Sequence, residues 1–425
     1  VEVRRVAIPA VTAVLLVMGV MLLAGFFFKS PCIPYKDWHG QQFSAGCYND
    51  IQFLYDQRQI SDHVFPVHGK LVYNAQTDSA ALVGGAVEYP VLTSVFTWFA
   101  GLFANDADGY LIVTAVLLAP FGLLAAYLLT RMTGWRAMIF AAAPAIVLYA
   151  FHNWDLLVVA AMIGGIYAWW RGRYGWAAFW LAIGGCLKLF PLFFLAPLLL
   201  HRLAAGDRRG ALRTFAIGVG TFAAVNLPFV IANPSAWWAP YDFQRLRNAD
   251  YTSNSIWVWG ASQLTRNDLN VLTPALIGLA FAIALAVGWW RAAKDGEYPF
   301  VQVCGAMVLA FVLLGKVFSP QYALWIVPFL ALTRVRWGWW VAFFAMDVLL
   351  YFGLFRWYYD VGYRNIDFGL AKQALIVGIW GKATVVGLLY VAFLAAAPAF
   401  RSGREGGALG GGESPDHEAV RADQG

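Results

Sequence analysis

Charge is what this chain has least of. Lys, Arg, Asp and Glu make up 13% of its 425 residues, against roughly a quarter in soluble globular domains. With 60% hydrophobic and 17% aromatic residues, it carries more apolar surface than one soluble core can hide. Apolar stretches of helical length recur from end to end, and lipid offers no partner to an unpaired backbone group, so the chain reads as an all-α polytopic membrane protein. Histidine and cysteine are also scarce, at 6 and 4, and none has the paired spacing of a zinc site. No metal or other cofactor is expected, although carboxylates alone could hold a divalent cation. The formal charge of +6 is modest and scattered over loops, which speaks for membrane orientation and against a nucleic-acid surface. No Gly-rich nucleotide-binding domain is apparent, and no internal repeat stands out.

Membrane segments are read at roughly 6–29, 110–131, 137–150, 155–170, 174–187, 189–201, 214–232, 272–290, 299–315, 321–333, 337–354 and 373–399. The first is too long for a signal peptide's apolar region, and no small-residue cleavage site follows it. A span needs about 20 residues, and the four segments from 137 to 201 are shorter. The short basic stretches "RMTGWR", "RGR", "HRLAAGDRRGALR", "RAAK", "RVR" and "RSGR" belong in the cytoplasm, with Arg4 and Arg5, by the positive-inside bias. That puts both termini inside. It also requires 137–201 to form two shallow hairpins, with tips at 152–155 and 187–191 and a cavity open to the outer face. The same bias makes "EYPVLTSVFTWFAGLF" (88–103) an interfacial helix and about 30–109 one large external loop. Residues 1–400 form one membrane domain. Residues 401–425, rich in Gly and acids without apolar period, form a disordered cytoplasmic tail.

Polar residues collect in the segments assigned to the outer face. The first loop holds Asp37, Asp50, Asp56, Asp62, Asp78 and Glu88, and the loop at 233–271 holds Arg245, Arg247 and Asp250. Asp155 and Lys188 sit at the hairpin tips, and "GKVFSPQY" places Lys316 and Gln321 near a helix end. A carboxylate can take a hydroxyl proton and cations can hold phosphate, so the set suits a substrate that is both hydroxylic and phosphorylated. Plainer readings stand beside this one. Glu88 could favour a helix N-terminus, Asp155 could cap a helix, and Lys188 could snorkel to an interface. Gln321 and Tyr322 could be interface residues, and Arg245 and Arg247 could meet lipid headgroups. His152 reads as a satisfied polar residue, and Asp347 and Lys382, inside apolar runs, receive no role. Cys186 and Cys304 read as core thiols. Cys32 and Cys47 share the external loop, where oxidation is available, and are expected to form a disulfide leading into Asp50.

Four stretches in order, "NDIQFLYDQR", "EYPVLTSV", "GGCLKLFPLFFLAPLLL" and "GKVFSPQYALWIVPFL", spread over about 45–330, resemble the GT-C membrane glycosyltransferases. Within that superfamily they look like the bacterial polyprenol-phosphate-mannose-dependent mannosyltransferases of glycosyltransferase family 87. The first mannosyltransferase of GPI-anchor synthesis shares the Lys-then-Pro and Lys…Ser/Thr-x-Gln-Tyr patterns. The resemblance implies a GT-C fold of about 12 transmembrane helices, with interfacial helices in the first external loop. It implies an inverting hexosyltransferase that carries mannose from a polyprenyl-phosphate sugar to a glycolipid or cell-wall glycan, on the outer face of a bacterial plasma membrane. In that family the catalytic base is an early loop aspartate in an Asp–aliphatic context before a Tyr, a position matched by Asp50. Asp56, six residues on and turned to another side of a helix, is the runner-up. Lys188 and Lys316, with Arg245 or Arg247, would steady the leaving phosphate, and Asp155, Glu88, Tyr89, Gln321 and Tyr322 would complete the site. Where the family often has a doubled proline after the Tyr, this chain has Tyr89-Pro90-Val91. The competing function is a transporter or flippase of a lipid-linked sugar. Transporters often show paired repeats with broken helices, whereas this chain shows one cluster of short helices.

Overall fold

The computed structural model describes residues 8–74 and 76–400, and it is helical nearly throughout. The α-helices of six residues or more are α1 Ile8–Lys29, α2 Asp50–Gln57, α3 Val91–Gly101, α4 Ala107–Thr133, α5 Pro144–Tyr149, α6 Asp155–Trp170, α7 Tyr174–Leu187 and α8 Leu195–Ala204. They continue as α9 Arg208–Ala232, α10 Pro234–Leu246, α11 Arg266–Asp295, α12 Phe300–Leu314, α13 Ala323–Leu332, α14 Trp337–Arg364 and α15 Leu370–Ala395. Several run past the apolar segments read from the sequence. Charged residues at the ends of α9, α11 and α14 continue the helix where the hydrophobic signal stops. The segment 137–150 is broken instead, because extended Ala143 precedes Pro144, whose ring cannot continue a helix from the residue before it.

Length sorts the helices by position. Six are long and apolar enough to cross a membrane, and they are largely unburied along their apolar windows: 11% buried for α9 and 17% for α11. Three of the short ones are the reverse. Every residue of α13 is buried, and so are most of α6 and α12. A helix apolar all round is stable only when enclosed, so α6, α12 and α13 make the centre and the long helices the rim. At about 1.5 Å per residue, α6 extends roughly 24 Å, less than the hydrocarbon core of about 30 Å.

The first long loop departs from the all-α expectation. β1 Lys70–Asn74 and β2 Ser79–Val83 form an antiparallel hairpin with Lys70 opposite Val83. Asn74 accepts from the backbone of Gln76 and Thr77 to shape the turn, and Leu82 packs with Ala86 and Ala239 into a small core on α10. Cys32 and Cys47 are joined in a disulfide, while Cys186 and Cys304 are free and buried. Asn49 then caps α2, accepting from the Gln52 amide at 2.8 Å. α3, at 11 residues, is too short to cross a membrane. Arg4, Arg5 and the 401–425 tail lie outside the described residues.

Candidate active site

Helix ends bring the polar residues together. α6 starts at Asp155 and α7 stops at Leu187, so the antiparallel pair sets Lys188 beside Asp155. α7 ends because Lys188 adopts extended backbone and Pro191 follows shortly. The Lys188 ammonium lies 2.7 Å from Asp155 Oδ1, with Asp155 fully buried and Lys188 7% exposed. Such a pair is tolerated at this depth only when further partners satisfy it. Trp325 Nε1 donates to the same Asp155 oxygen at 2.6 Å. The ammonium also lies over the rings of Tyr89, Trp325 and Tyr322, at 4.7, 5.3 and 6.0 Å from their centroids. Neither plainer reading survives: Lys188 does not snorkel, and Asp155 does not act as an N-cap.

One amide ties this pair to the first loop. Asn153 Oδ1 accepts from Lys188 at 3.4 Å, while its Nδ2 donates to Asp50 Oδ2 at 2.8 Å and to the Tyr89 hydroxyl. The other Asp50 oxygen accepts from the Tyr48 hydroxyl at 3.1 Å, and the Asp50 amide donates to the His152 carbonyl at 2.8 Å. Asp50 is half-buried. Burial raises its carboxyl above the ordinary range. The hydrogen bond from Asn153 pulls it down, the charge of Glu88 pushes it up, and Tyr48 and Lys188 pull it down again. A carboxylate so raised is a better proton acceptor than an exposed one.

Beneath Asp50 lies Lys29, the last residue of α1, fully buried. Its ammonium donates to the Tyr48 carbonyl at 2.9 Å and the Tyr351 hydroxyl at 2.8 Å, and lies 3.4 Å from His152 Nδ1. Nothing in the sequence marks this role, since a lysine ending an apolar run looks like a snorkelling anchor. Trp325, inside an apolar run, was equally silent. Asp56 is exposed, and its charge bears on Tyr35 and Tyr55 rather than on the cluster.

A cavity of about 310 Å³ adjoins the cluster, with Glu88, Tyr89, Lys188, Lys316, Tyr322 and Trp325 in its wall. Lys316 donates to the carbonyls of Gln244 and Arg245 at 3.0 and 3.2 Å, and to Asn270 Oδ1 at 2.7 Å. These acceptors are neutral, so they leave its charge uncancelled. Burial, then Arg266, Arg247 and Arg245, push its pKa down to about 8. Glu88 does not serve the start of α3, which begins at Val91; it pairs with Arg58. Its second oxygen is buried without a hydrogen-bond partner among the described residues. Arg245 turns away, with its side chain 64% exposed and paired to Asp242 at 3.0 Å. Arg247 is half-buried and acts electrostatically on Lys316 and Tyr322. Gln321 is buried next to Tyr322 without lining the cavity. Among the described residues no group of three or more His, Cys, Asp or Glu could hold a metal ion.

Fold and site together define a polytopic helical membrane protein, with a carboxylate base candidate and two lysines at an internal cavity. The chain belongs to glycosyltransferase family 87, whose model matches residues 88–320. It is accordingly a glycosyltransferase, working between a sugar donor and an acceptor. No curated protein and no solved structure matches the chain. The family match takes in Glu88, Asp155, Lys188, Arg245 and Lys316. Asp50 and Asp56 precede it, and Gln321 and Tyr322 follow it.

Proposed function

We propose that this glycosyltransferase moves a hexose, mannose foremost, from a polyprenyl-phosphate carrier to a hydroxyl of a glycolipid or cell-wall glycan. The reaction takes place at the outer face of a bacterial plasma membrane, on a GT-C arrangement of about 12 membrane helices. The observation that carries this reading is the Asn153 amide, which joins Asp50 to Lys188 at a cavity that Lys316 also lines.

Asp50 takes the proton of the acceptor hydroxyl as its oxygen attacks the anomeric carbon. The bond from that carbon to the phosphate oxygen breaks, and the lipid phosphate leaves with the electron pair. A direct displacement of this kind inverts the anomeric centre. Lys316 opposes the charge that grows on the departing phosphate. Lys188 is already paired with Asp155, so its part is to hold the tip and the Asn153 amide in register. The flat faces of Tyr89, Tyr322 and Trp325 offer the sugar ring a surface. A transporter would need no base, and membership of a glycosyltransferase family weighs against that alternative.

Asp50→Asn tests the assignment. The variant keeps the size of the side chain but cannot accept a proton, and general-base catalysis is typically worth about 10²–10⁴ in rate. Transfer from radiolabelled polyprenyl-phosphate mannose into a membrane lipid extract should fall by about that factor, with donor binding retained. Wild-type transfer by the Asn variant would remove Asp50 from this role. Labelled product from a nucleotide sugar but not from the lipid-linked one would overturn the donor class.

A further inference from the structure

A second cavity lies on the other side of the α6–α7 hairpin and takes no part in the chemistry above. It encloses about 480 Å³, more than the candidate active site, between α4, α6 and α7. Its walls are apolar along most of their length. At one end stand Arg171 and Arg173, on the turn joining α6 to α7, with Trp176 beside them. Neither guanidinium pairs with a carboxylate among the described residues, and no acid lines the cavity. At the other end are Leu157 and Leu187, next in the fold to Asp155 and Lys188. From Arg171 to Leu157 the helix rises about 21 Å at 1.5 Å per residue, enough to lay an extended acyl chain alongside.

We infer that this trough is a binding site for an anionic glycerophospholipid, with its phosphate on Arg171 and Arg173 and one acyl chain along α6. Charge complementarity selects the occupant. Two cations without counter-ions at the mouth of an apolar channel suit a lipid carrying net negative charge, and basic pockets between membrane helices hold such headgroups. A zwitterionic lipid brings its own cation and gains less. An acyl chain seated as far as Leu157 and Leu187 also props the hairpin from behind, at the end that carries the Asp155–Lys188 pair. The inference does not rest on the donor or acceptor proposed above.

Native mass spectrometry of the full-length protein in detergent, titrated with phosphatidylglycerol or phosphatidylcholine, reads the site without an activity assay. Phosphatidylglycerol should be retained at one copy, and at least tenfold more tightly than phosphatidylcholine. Arg171→Gln with Arg173→Gln should weaken it about 25-fold, from about 1 kcal/mol per arginine near an anionic headgroup and tenfold per 1.4 kcal/mol. Gly164→Leu keeps both charges but fills the channel. An added Cβ there meets Trp180 at an ordinary 3.6 Å, and with the wild-type melting temperature retained this variant too should lose the lipid. Equal binding of the two lipids, or wild-type affinity in either variant, would overturn the site. Displacement of phosphatidylglycerol by an equimolar amount of geranylgeranyl phosphate would give the trough to a prenyl chain instead, and would equally overturn it.

Discussion

Lys188–Asp155 and Lys382–Asp347 are nearly the same pair of ions in very different company. The nitrogen–oxygen distances are 2.7 and 2.5 Å, both carboxylates are fully buried, and both ammonium groups lie over aromatic rings. Lys382 and Asp347 join α15 to α14, with the Tyr149 hydroxyl as a further donor at 3.1 Å. The void beside Lys382 holds about 20 Å³, too little for any sugar. Lys188 instead faces a cavity of about 310 Å³ and is linked through Asn153 to a half-buried carboxylate. Burial and pairing therefore do not by themselves mark a reactive site. Access, and a hydrogen-bonded path to a group that can exchange a proton, separate the two.

The comparison can be broken by mutation. Lys188→Met should have the largest effect, cutting sugar transfer about 100-fold, the scale on which misplacing a reacting group by about 1 Å acts, since the Asn153 amide that holds Asp50 loses its register. The double variant Lys382→Met with Asp347→Leu should transfer within about threefold of wild type. A double variant as inactive as Lys188→Met would erase the distinction. Next in size is stability: Lys382→Met alone leaves a buried carboxylate unpaired and should cost about 3–5 kcal/mol, whereas the apolar double should recover most of that. Thermal unfolding in one detergent decides it, and a double variant no more stable than the single would show that the closed pair itself holds α14 to α15.

The smallest effect is on pH dependence. With a pKa near 8, Lys316 is charged below that pH and loses its proton as pH rises through it. If its charge serves the donor phosphate, kcat/KM should decline above about pH 8, approaching tenfold per unit. Lys316→Arg should move that limb upward, because a guanidinium stays protonated. On the acid side, Asp50 should set a limb above the ordinary aspartate value of about 3.9, since burial raises it. An alkaline limb unchanged in the arginine variant would place the titrating group elsewhere.

Much of this was legible in the chain itself. Apolar runs located the helices, six of them long and apolar enough to cross a membrane, and their ends slipped where charged residues prolong a helix into water. The β-hairpin was missed, since strands of five residues carry little periodic signal. Asp50, Asp155 and Lys188 stood out as polar residues in apolar or motif-like settings, and the fold brings all three together. Asp347 and Lys382 stood out equally but, 35 residues apart on neighbouring helices, gave no sign that they answer one another. The sequence leaves Arg245 and Arg247 open between the phosphate and lipid headgroups; Asp242, one turn before Arg245, holds that guanidinium at the surface.

The first helix is more than an attachment to the bilayer. Its last residue, Lys29, grips the Tyr48 carbonyl and the Tyr351 hydroxyl, and Tyr48 in turn aims Asp50. Asp50 therefore stands on a foundation set by α1 and α14 rather than on the loop that carries it. Exchanging α1 for another hydrophobic anchor of equal length would keep the protein in the membrane and leave Asp50 without footing.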